Sequence, residues 1–382
     1  MSDATEKRSL PRRDWILLPL LSVLTVLVML LVAEGVARLA WPEQEIDACL
    51  MQGSDKPKPD CVAMIKAVEG PWVETRYNEC GYRATGPCRH LPPPGTERVA
   101  VLGSSTSFGH LVDFDDVWSV QAAREVADRC GHPVDVQSLI EVNLTRNHLG
   151  FGSLNDMARR LPEAMALHPT LVTLLITPFD LADMPKGGFN PLPIPQASQS
   201  EPELRQPGLM ERLRYFVTNS RAVTVAQHFI YRDAKTYVWT YLHYGDRADF
   251  LRTPLSPLWQ ERLTYLDATV GYIADQMKPT GTPLFVVLAP TQAQAYIIAD
   301  NLSIPGVDAE AFGRAVGEIA QRHGASYVDG AAAFEGVKDA PNDFYQVDGH
   351  FDAAGHEVLA RVVAKAWLTA QPAGYCAREA AR

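Results

Sequence analysis

This sequence has too little basic charge for a nucleic-acid surface to be its main business. Against 45 Asp+Glu stand 35 Lys+Arg over 382 residues, a formal net charge of −10, and a phosphate backbone needs the opposite sign. The chain also lacks the Gly-Lys-Ser/Thr ending of a P-loop and the GxGxxG of a dinucleotide turn, so nucleotide binding is not expected. No two cysteines stand in the CxxC separation typical of structural zinc sites. No internal repeat is present, which argues against a repeat architecture. Hydrophobic residues make up 47% and charged residues 21%, values that exclude wholesale disorder and collagen-like repetition and suit one large domain with an appendage.

What is present is concentrated at the start. From Trp15 to Ala33 run 19 consecutive residues without a charge, which as a helix span about 28 Å, close to the hydrocarbon thickness of a bilayer. Lys7, Arg8, Arg12 and Arg13 precede the run and Glu34 follows it. The positive-inside rule therefore puts the N-terminus in the cytoplasm and everything beyond about residue 38 outside. Pro19 falls near the start of the run, where a helix tolerates it best. A cleaved signal peptide is the competing reading, but its apolar region is usually about 7 to 15 residues, and Gly35 with Ala37 makes a weak cleavage site. An uncleaved anchor over 15–37 is the expectation, with a cytoplasmic tail at 1–14 and residence in the inner (cytoplasmic) membrane as a single-pass protein whose main domain is periplasmic or otherwise extracytoplasmic. Glu34 and Arg38, four apart at the outer edge, are a juxtamembrane pair or a contact for a partner helix.

All six cysteines lie beyond the anchor, and an even number on the outer side suits disulfides. The neighbours Cys49/Cys61 and Cys80/Cys88 would staple the segment 38–95, leaving Cys130 for Cys376, among 15 conceivable connectivities. Zinc is the alternative. Asn143 and Asn301 match the N-glycosylation triplet.

From Leu91 the character changes. RVAVLG, an apolar β-branched run stopped by Gly103, reads as a buried parallel strand, and Val134 to Ile140, Leu171 to Ile176, Leu284 to Ala289 and Ser326 to Asp329 read likewise. Helical periodicity separates them, clearest at Leu263, Leu266, Val270, Ile273 and Met277 and again at Val358, Leu359, Val362, Val363, Ala366 and Trp367. Alternating strands and helices imply a doubly wound α/β domain over 96–372 with about five parallel strands, ending in a tail at 373–382. Between about 183 and 257 the alternation breaks into a Pro-rich loop and an aromatic-rich helical stretch, an insertion or lid.

Open α/β sheets place chemistry at the carboxyl ends of their strands. The first strand delivers VLGSSTSFG there, with Ser105 at the start of a helix whose backbone N–H groups face a developing oxyanion. A serine needs a base. Asp348-Gly349-His350 supplies a carboxylate two residues before an imidazole, on a turn leading into the last helix. Asp348 would orient the ring while His350 takes the serine proton. The plainer alternatives are an N-cap at Ser105 and a surface pair at His350; His356, six residues on, would make a metal pair with His350, without an evident third ligand.

Taken jointly, these residues resemble the SGNH, or GDSL-like, hydrolase superfamily, and particularly its bacterial membrane-anchored members, over about residues 78 to 368. RYNECGYRATG is similar to the segment before the first strand in those relatives, VAVLGSSTSFG to the first block, HLGFGS to the second, LAPTQAQAY to a strand end of the anchored group, and VDGHFDAAGH to the last block. The resemblance implies a flavodoxin-like sheet and a Ser105–His350–Asp348 triad. Ser105 and Gly150 would give N–H groups to the oxyanion, and the chemistry would act on esters, often acyl groups on carbohydrates, without metal or organic cofactor. Two blocks depart from the pattern. Gly-Asp-Ser reads Gly103-Ser104-Ser105, which keeps the nucleophile. The third block, Gly-x-Asn-Asp, reads Thr177-Pro178-Phe179-Asp180, so a phenylalanine replaces an oxyanion donor whose loss typically costs about 10²- to 10³-fold in rate. Either Thr177 or Asn155 substitutes, or the site is slow or not catalytic. Asp180 with Asp183 reads as an acid pair, a cation site or, more plainly, loop capping.

The expected function is an anchored extracytoplasmic serine esterase or O-acyltransferase acting on an acylated carbohydrate or lipid-linked envelope substrate, with the insertion as a binding wall. The alternative is a catalytically inactive SGNH-like subunit docked to a membrane-protein partner.

Overall fold

The computed structural model describes residues 11, 13–44, 48–49, 56–88, 91–140, 152–191, 208, 210, 214, 219–371 and 375–376. The uncharged run forms most of a 27-residue helix, α1 (Asp14–Ala40), whose Leu, Val and Ile side chains find no protein cover; Leu24, for example, is 57% exposed. Its length and composition are those of a membrane span. Beyond it β1 (Val62–Ile65) and β2 (Val73–Arg76) pair antiparallel, Val62 opposite Arg76. Disulfides join Cys49 to Cys61 and Cys80 to Cys88 around this hairpin, and Cys130 to Cys376. That is the expected pairing, and it removes the zinc alternative, because every cysteine sulfur is already bonded.

Next in the chain come β3 (Arg83–Ala84), β4 (Glu97–Gly103), α2 (Ser105–Phe108), α3 (Trp118–Cys130) and β5 (Val134–Ile140). These are followed by α4 (Ser153–Arg159), α5 (Leu161–Ala166), β6 (Leu171–Ile176) and α6 (Pro178–Ala182). The insertion contributes α7 (Arg221–Tyr231) and α8 (Ala234–Leu242). The chain closes with α9 (Pro257–Met277), β7 (Leu284–Leu288), α10 (Gln292–Ala299), α11 (Ala311–Arg322), β8 (Ser326–Asp329) and α12 (Ala353–Ala370).

The main sheet runs β3-β5-β4-β6-β7-β8. Its last five strands are parallel and only β3 is antiparallel, Arg83 opposite Ser138. Counted along the chain, the parallel strands stand in the order 2-1-3-4-5, the flavodoxin-like doubly wound arrangement. All five coincide with the strands read from sequence. β4, β6 and β7 are legible as apolar runs because helices on both faces demand apolar strands, and β6 and β7 are buried at every position; β5 includes Asp135, Gln137 and Ser138, and the edge strand β8 buries only Val328. Trp118, Val126, Leu359 and Val363 pack in one core with α3 against α12, while Leu266, Val270 and Phe312 join α9 to α11. Right-handed crossovers in this strand order put those two helix pairs on opposite faces. Strand β3 brings part of the segment 38–95 into the sheet of the main domain.

Candidate functional site

Strand β4 ends at Gly103, where a Cβ would stand 2.3 Å from the Ser107 Cβ and 3.0 Å from the Leu175 carbonyl oxygen. Only glycine lets the chain fold back so tightly over the strand end. Ser104 is extended (φ −90°, ψ −158°), and its carbonyl accepts from the N–H groups of Ser107 at 2.9 Å and Phe108 at 3.3 Å. Ser105 is thereby presented as the first residue of a single helical turn above the sheet. The turn is held from behind by buried Arg83 of β3, whose guanidinium donates to the carbonyls of Phe108 (2.8 Å), Gly109 (2.7 Å) and Val112 (2.9 Å). The GYRATG segment therefore supports the serine turn directly.

The partner loop precedes α12. Tyr345 N–H donates to the His350 carbonyl at 2.9 Å and Gly349 N–H to the Tyr345 carbonyl at 2.7 Å. Gly349 sits at φ +87°, a left-handed conformation that L side chains rarely adopt. Asp352 then caps α12, accepting from Ala354 and Gly355 N–H groups at 2.9 and 3.1 Å. This geometry turns both neighbours of Gly349 toward the serine. His350 Nδ1 lies 2.6 Å from Asp348 Oδ1, and His350 Nε2 lies 2.7 Å from Ser105 Oγ. An ionised carboxylate can only accept, so Nδ1 carries the proton and Nε2 is left to accept from the hydroxyl. The three residues brought together from positions 245 residues apart thus form one hydroxyl–imidazole–carboxylate chain.

Electrostatics favour that chain. Burial lowers the affinity of the His350 ring for a proton, but the charge and hydrogen bond of Asp348, with a smaller contribution from Asp180, raise its pKa above the ordinary histidine value. Burial raises the Asp348 carboxyl, yet His350, through its charge and hydrogen bonds, and then His110 bring it down to about 2. His110 stands edge-on to His350, ring centroids 5.2 Å apart.

Sequence reasoning missed Glu69. Its carboxylate accepts from the N–H groups of Val347 at 2.9 Å and Asp348 at 3.0 Å, and also meets His228 Nδ1 of α7 at 2.7 Å. The side chain is 4% exposed. A buried carboxylate from the hairpin region therefore fixes the backbone that carries Asp348. No local signal could have found it, because its partners are backbone groups 278 and 279 residues away.

The other expected site residues divide clearly. Thr177 and Asp180 form a capping box on α6: Asp180 Oδ2 accepts from Thr177 N–H at 2.7 Å and from its hydroxyl at 2.8 Å, and Asp180 N–H donates to Thr177 Oγ1. Burial raises the Asp180 pKa, opposed by hydrogen bonds from Ser104 and Thr177. Asp180 is thus a cap tied to the serine turn rather than a cation ligand, and the Thr177 hydroxyl is committed to it. Asn155 gives its amide N–H to the Gly188 carbonyl at 3.2 Å and accepts from Asn190 N–H at 2.8 Å, so it braces the loop after α6. Phe179 is 44% exposed. Gly150 and Asn143 lie outside the described residues, and Asn301 sits exposed on the turn after α10.

His356 does not pair with His350 around an ion. Its Nδ1 accepts from Trp118 N–H at 3.3 Å at the start of α3, and both nitrogens of His350 are engaged. Burial, aided by His350 and Arg83, brings the pKa of His356 down to about 3, so it is a neutral core acceptor.

No protein-family model and no curated protein matches the sequence. Among solved structures the chain is similar to TesA, at 15% identity over 71% of this chain and 97% of that one, TM-score 0.38. It is also similar to a mutant of Axe2, an acetyl-xylooligosaccharide esterase from Geobacillus Stearmophilus, at 16% identity over 70% and 93%, TM-score 0.37. A third is LAE5, an alpha/beta hydrolase enzyme from the metagenome of Lake Arreo, Spain, at 13% identity over 72% and 97%, TM-score 0.38. At such scores the fold assignment rests on the strand order itself.

Proposed function

We propose that the chain is a serine esterase or O-acyltransferase of SGNH type, tethered by α1 with its N-terminus cytoplasmic and its α/β domain outside. The observation that carries this reading is the continuous Ser105–His350–Asp348 hydrogen-bond chain. Ser105 Oγ attacks an acyl carbonyl as His350 Nε2 takes its proton, and Asp348 stabilises the imidazolium that forms. The carbonyl oxygen becomes an oxyanion facing the Ser105 N–H and, by the SGNH resemblance, that of Gly150. Collapse of the tetrahedral adduct breaks the ester C–O bond, and His350 returns the proton to the leaving alcohol. Water, or the hydroxyl of an acceptor sugar, then gives its proton to His350 and attacks the acyl-serine, releasing acid or transferred ester and restoring Ser105. This chain's own groups complete the cycle, with no cofactor in any step.

Attachment to a membrane suits an acylated envelope carbohydrate or a lipid-linked ester as substrate, and the disulfides suit an oxidising exterior. The commitment of the Thr177 hydroxyl to Asp180 supports a second reading, a catalytically silent subunit anchored beside a membrane-protein partner, since that hydroxyl does not replace the donor absent at Phe179. The two readings separate on hydrolysis of a short-chain nitrophenyl ester by purified full-length protein in detergent. The enzyme reading predicts turnover that Ser105→Ala abolishes. A folded wild-type protein no faster than Ser105→Ala would establish the silent subunit.

A further inference from the structure

Helix α11 shows what a water-facing helix of this chain exposes: Arg314, Glu318, Gln321 and Arg322, all polar. Helix α7 does the reverse. Its exposed positions are Val223, Ala226, Phe229 and Ile230, which share one face at helical spacing. Val223, Phe229 and Ile230 are 50, 62 and 52% exposed. Two of its polar residues are tied inward, Arg221 to Glu43 and His228 to Glu69. Taking such large apolar side chains out of water is favourable, so a stripe of them facing water implies a cover.

The position of the stripe identifies the cover. Helix α7 begins where the apolar run of α1 ends: Glu34 accepts from Ser220 Oγ at 2.7 Å, Arg221 N–H at 3.0 Å and Ala222 N–H at 2.9 Å. Arg38 donates to the same carboxylate at 2.7 Å. Trp41, just past α1, lines a cavity of about 260 Å³ together with Phe229, Val225 and Lys66, so the end of the anchor and the stripe are contiguous. On and just beyond α8, Trp239 and Tyr244 are 65 and 66% exposed, the residue types that collect at membrane–water interfaces.

We propose that α7 lies in the interfacial layer of the bilayer that α1 spans, with Val223, Phe229 and Ile230 at the headgroup–acyl boundary. The occupant of the stripe is lipid. The proposal rests on the anchor reading and deepens it. Through His228 and Glu69 the interfacial helix is joined to the backbone of Asp348, which ties the Ser105–His350–Asp348 chain to the helix at the membrane surface. Esters carried on lipids, or on polymer held close to the membrane, are then the substrate class within reach.

The test uses full-length protein in vesicles of phosphatidylethanolamine and phosphatidylglycerol, with photoreactive benzoylphenylalanine replacing Phe229, Leu27 of the anchor, or Lys365 on the exposed side of α12. Thermal melts like the wild type establish that each variant is folded, and Val223→benzoylphenylalanine serves in place of a Phe229 variant that is not. After irradiation, mass spectrometry reads phospholipid adducts. The proposal predicts adducts at positions 27 and 229, several-fold above the background at position 365. Adducts at 27 with only background at both 229 and 223 overturn the proposal and leave the anchor standing. A cross-link from 229 to a second copy of the chain overturns it in favour of a dimer face. No adduct at 27 overturns the anchor reading and this proposal with it.

Discussion

At the residue scale the proposed chemistry turns on where protons reside. In the proposed mechanism His350 serves as a base only when neutral, and Asp348 raises its pKa above the ordinary value of about 6.5. The acid limb of kcat/KM should therefore lie above pH 6.5, activity falling as pH drops through it. Asp348→Asn removes the negative charge that raises the ring, so the limb should move to lower pH. The rate at its plateau should fall about 10³- to 10⁴-fold. Steady-state kinetics across pH on a nitrophenyl ester check both; an unmoved limb would detach Asp348 from the mechanism. Glu69 acts one step further out. Glu69→Ala leaves two backbone N–H groups without their acceptor, a cost of about 1–3 kcal/mol. Because the displaced backbone carries Asp348, kcat should drop about 5- to 100-fold with KM little changed, and Glu69→Gln, which keeps an accepting oxygen, should recover part of it. Equal kcat in all three proteins would reduce Glu69 to a structural group. Ser105, His350 and Asp348 were legible because each carries a local signature: a serine after a glycine-stopped strand, and an Asp-x-His turn before a helix. Glu69 carries none, and Arg83 hid in a two-residue strand, because both act on backbone carbonyls or amides that only the fold brings near.

Elements tell the same story at a coarser grain. Strands β4, β6 and β7 were readable as apolar runs because both their faces are covered, whereas β3 was not, since two residues cannot display a period. The cap of α3 was equally invisible, its acceptor being His356 from 238 residues later. That cap has a pH signature. The folded pKa of His356, about 3, lies below its unfolded value of about 6.5. Between those limits the unfolded chain binds the extra proton, so stability rises with pH across the window and is lost as pH falls through it, by at most about 1.4 kcal/mol per pH unit. Melting temperatures of wild type and His356→Gln, which keeps an acceptor for Trp118 N–H but cannot titrate, should show a shallower acid dependence in the variant. Parallel curves would contradict the neutral-cap assignment.

On the scale of the whole molecule, three disulfides bind the chain to itself, and the proposed anchor would bind it to a membrane. The Cys130–Cys376 disulfide closes a loop of 246 residues and fastens the end of α3 to the chain terminus. Cys376→Ser should lower stability by about 2–5 kcal/mol without removing activity, as read from thermal melts beside ester turnover; loss of activity at full stability would show that the terminus contributes to the site. The proposed anchor is α1. Its uncovered apolar surface predicts that the full chain stays with membranes through alkaline carbonate extraction, and release to the supernatant would remove the anchor from the account.

Most of these expectations descend from one chemical claim, that His350 makes the Ser105 hydroxyl a nucleophile. The direct measurement is treatment of folded full-length protein with a fluorophosphonate, followed by peptide mass spectrometry. One phosphonyl adduct on Ser105, lost in Ser105→Ala and strongly slowed in His350→Ala, is the predicted result. Unmodified Ser105 in folded protein, or labelling just as fast without His350, would contradict the account.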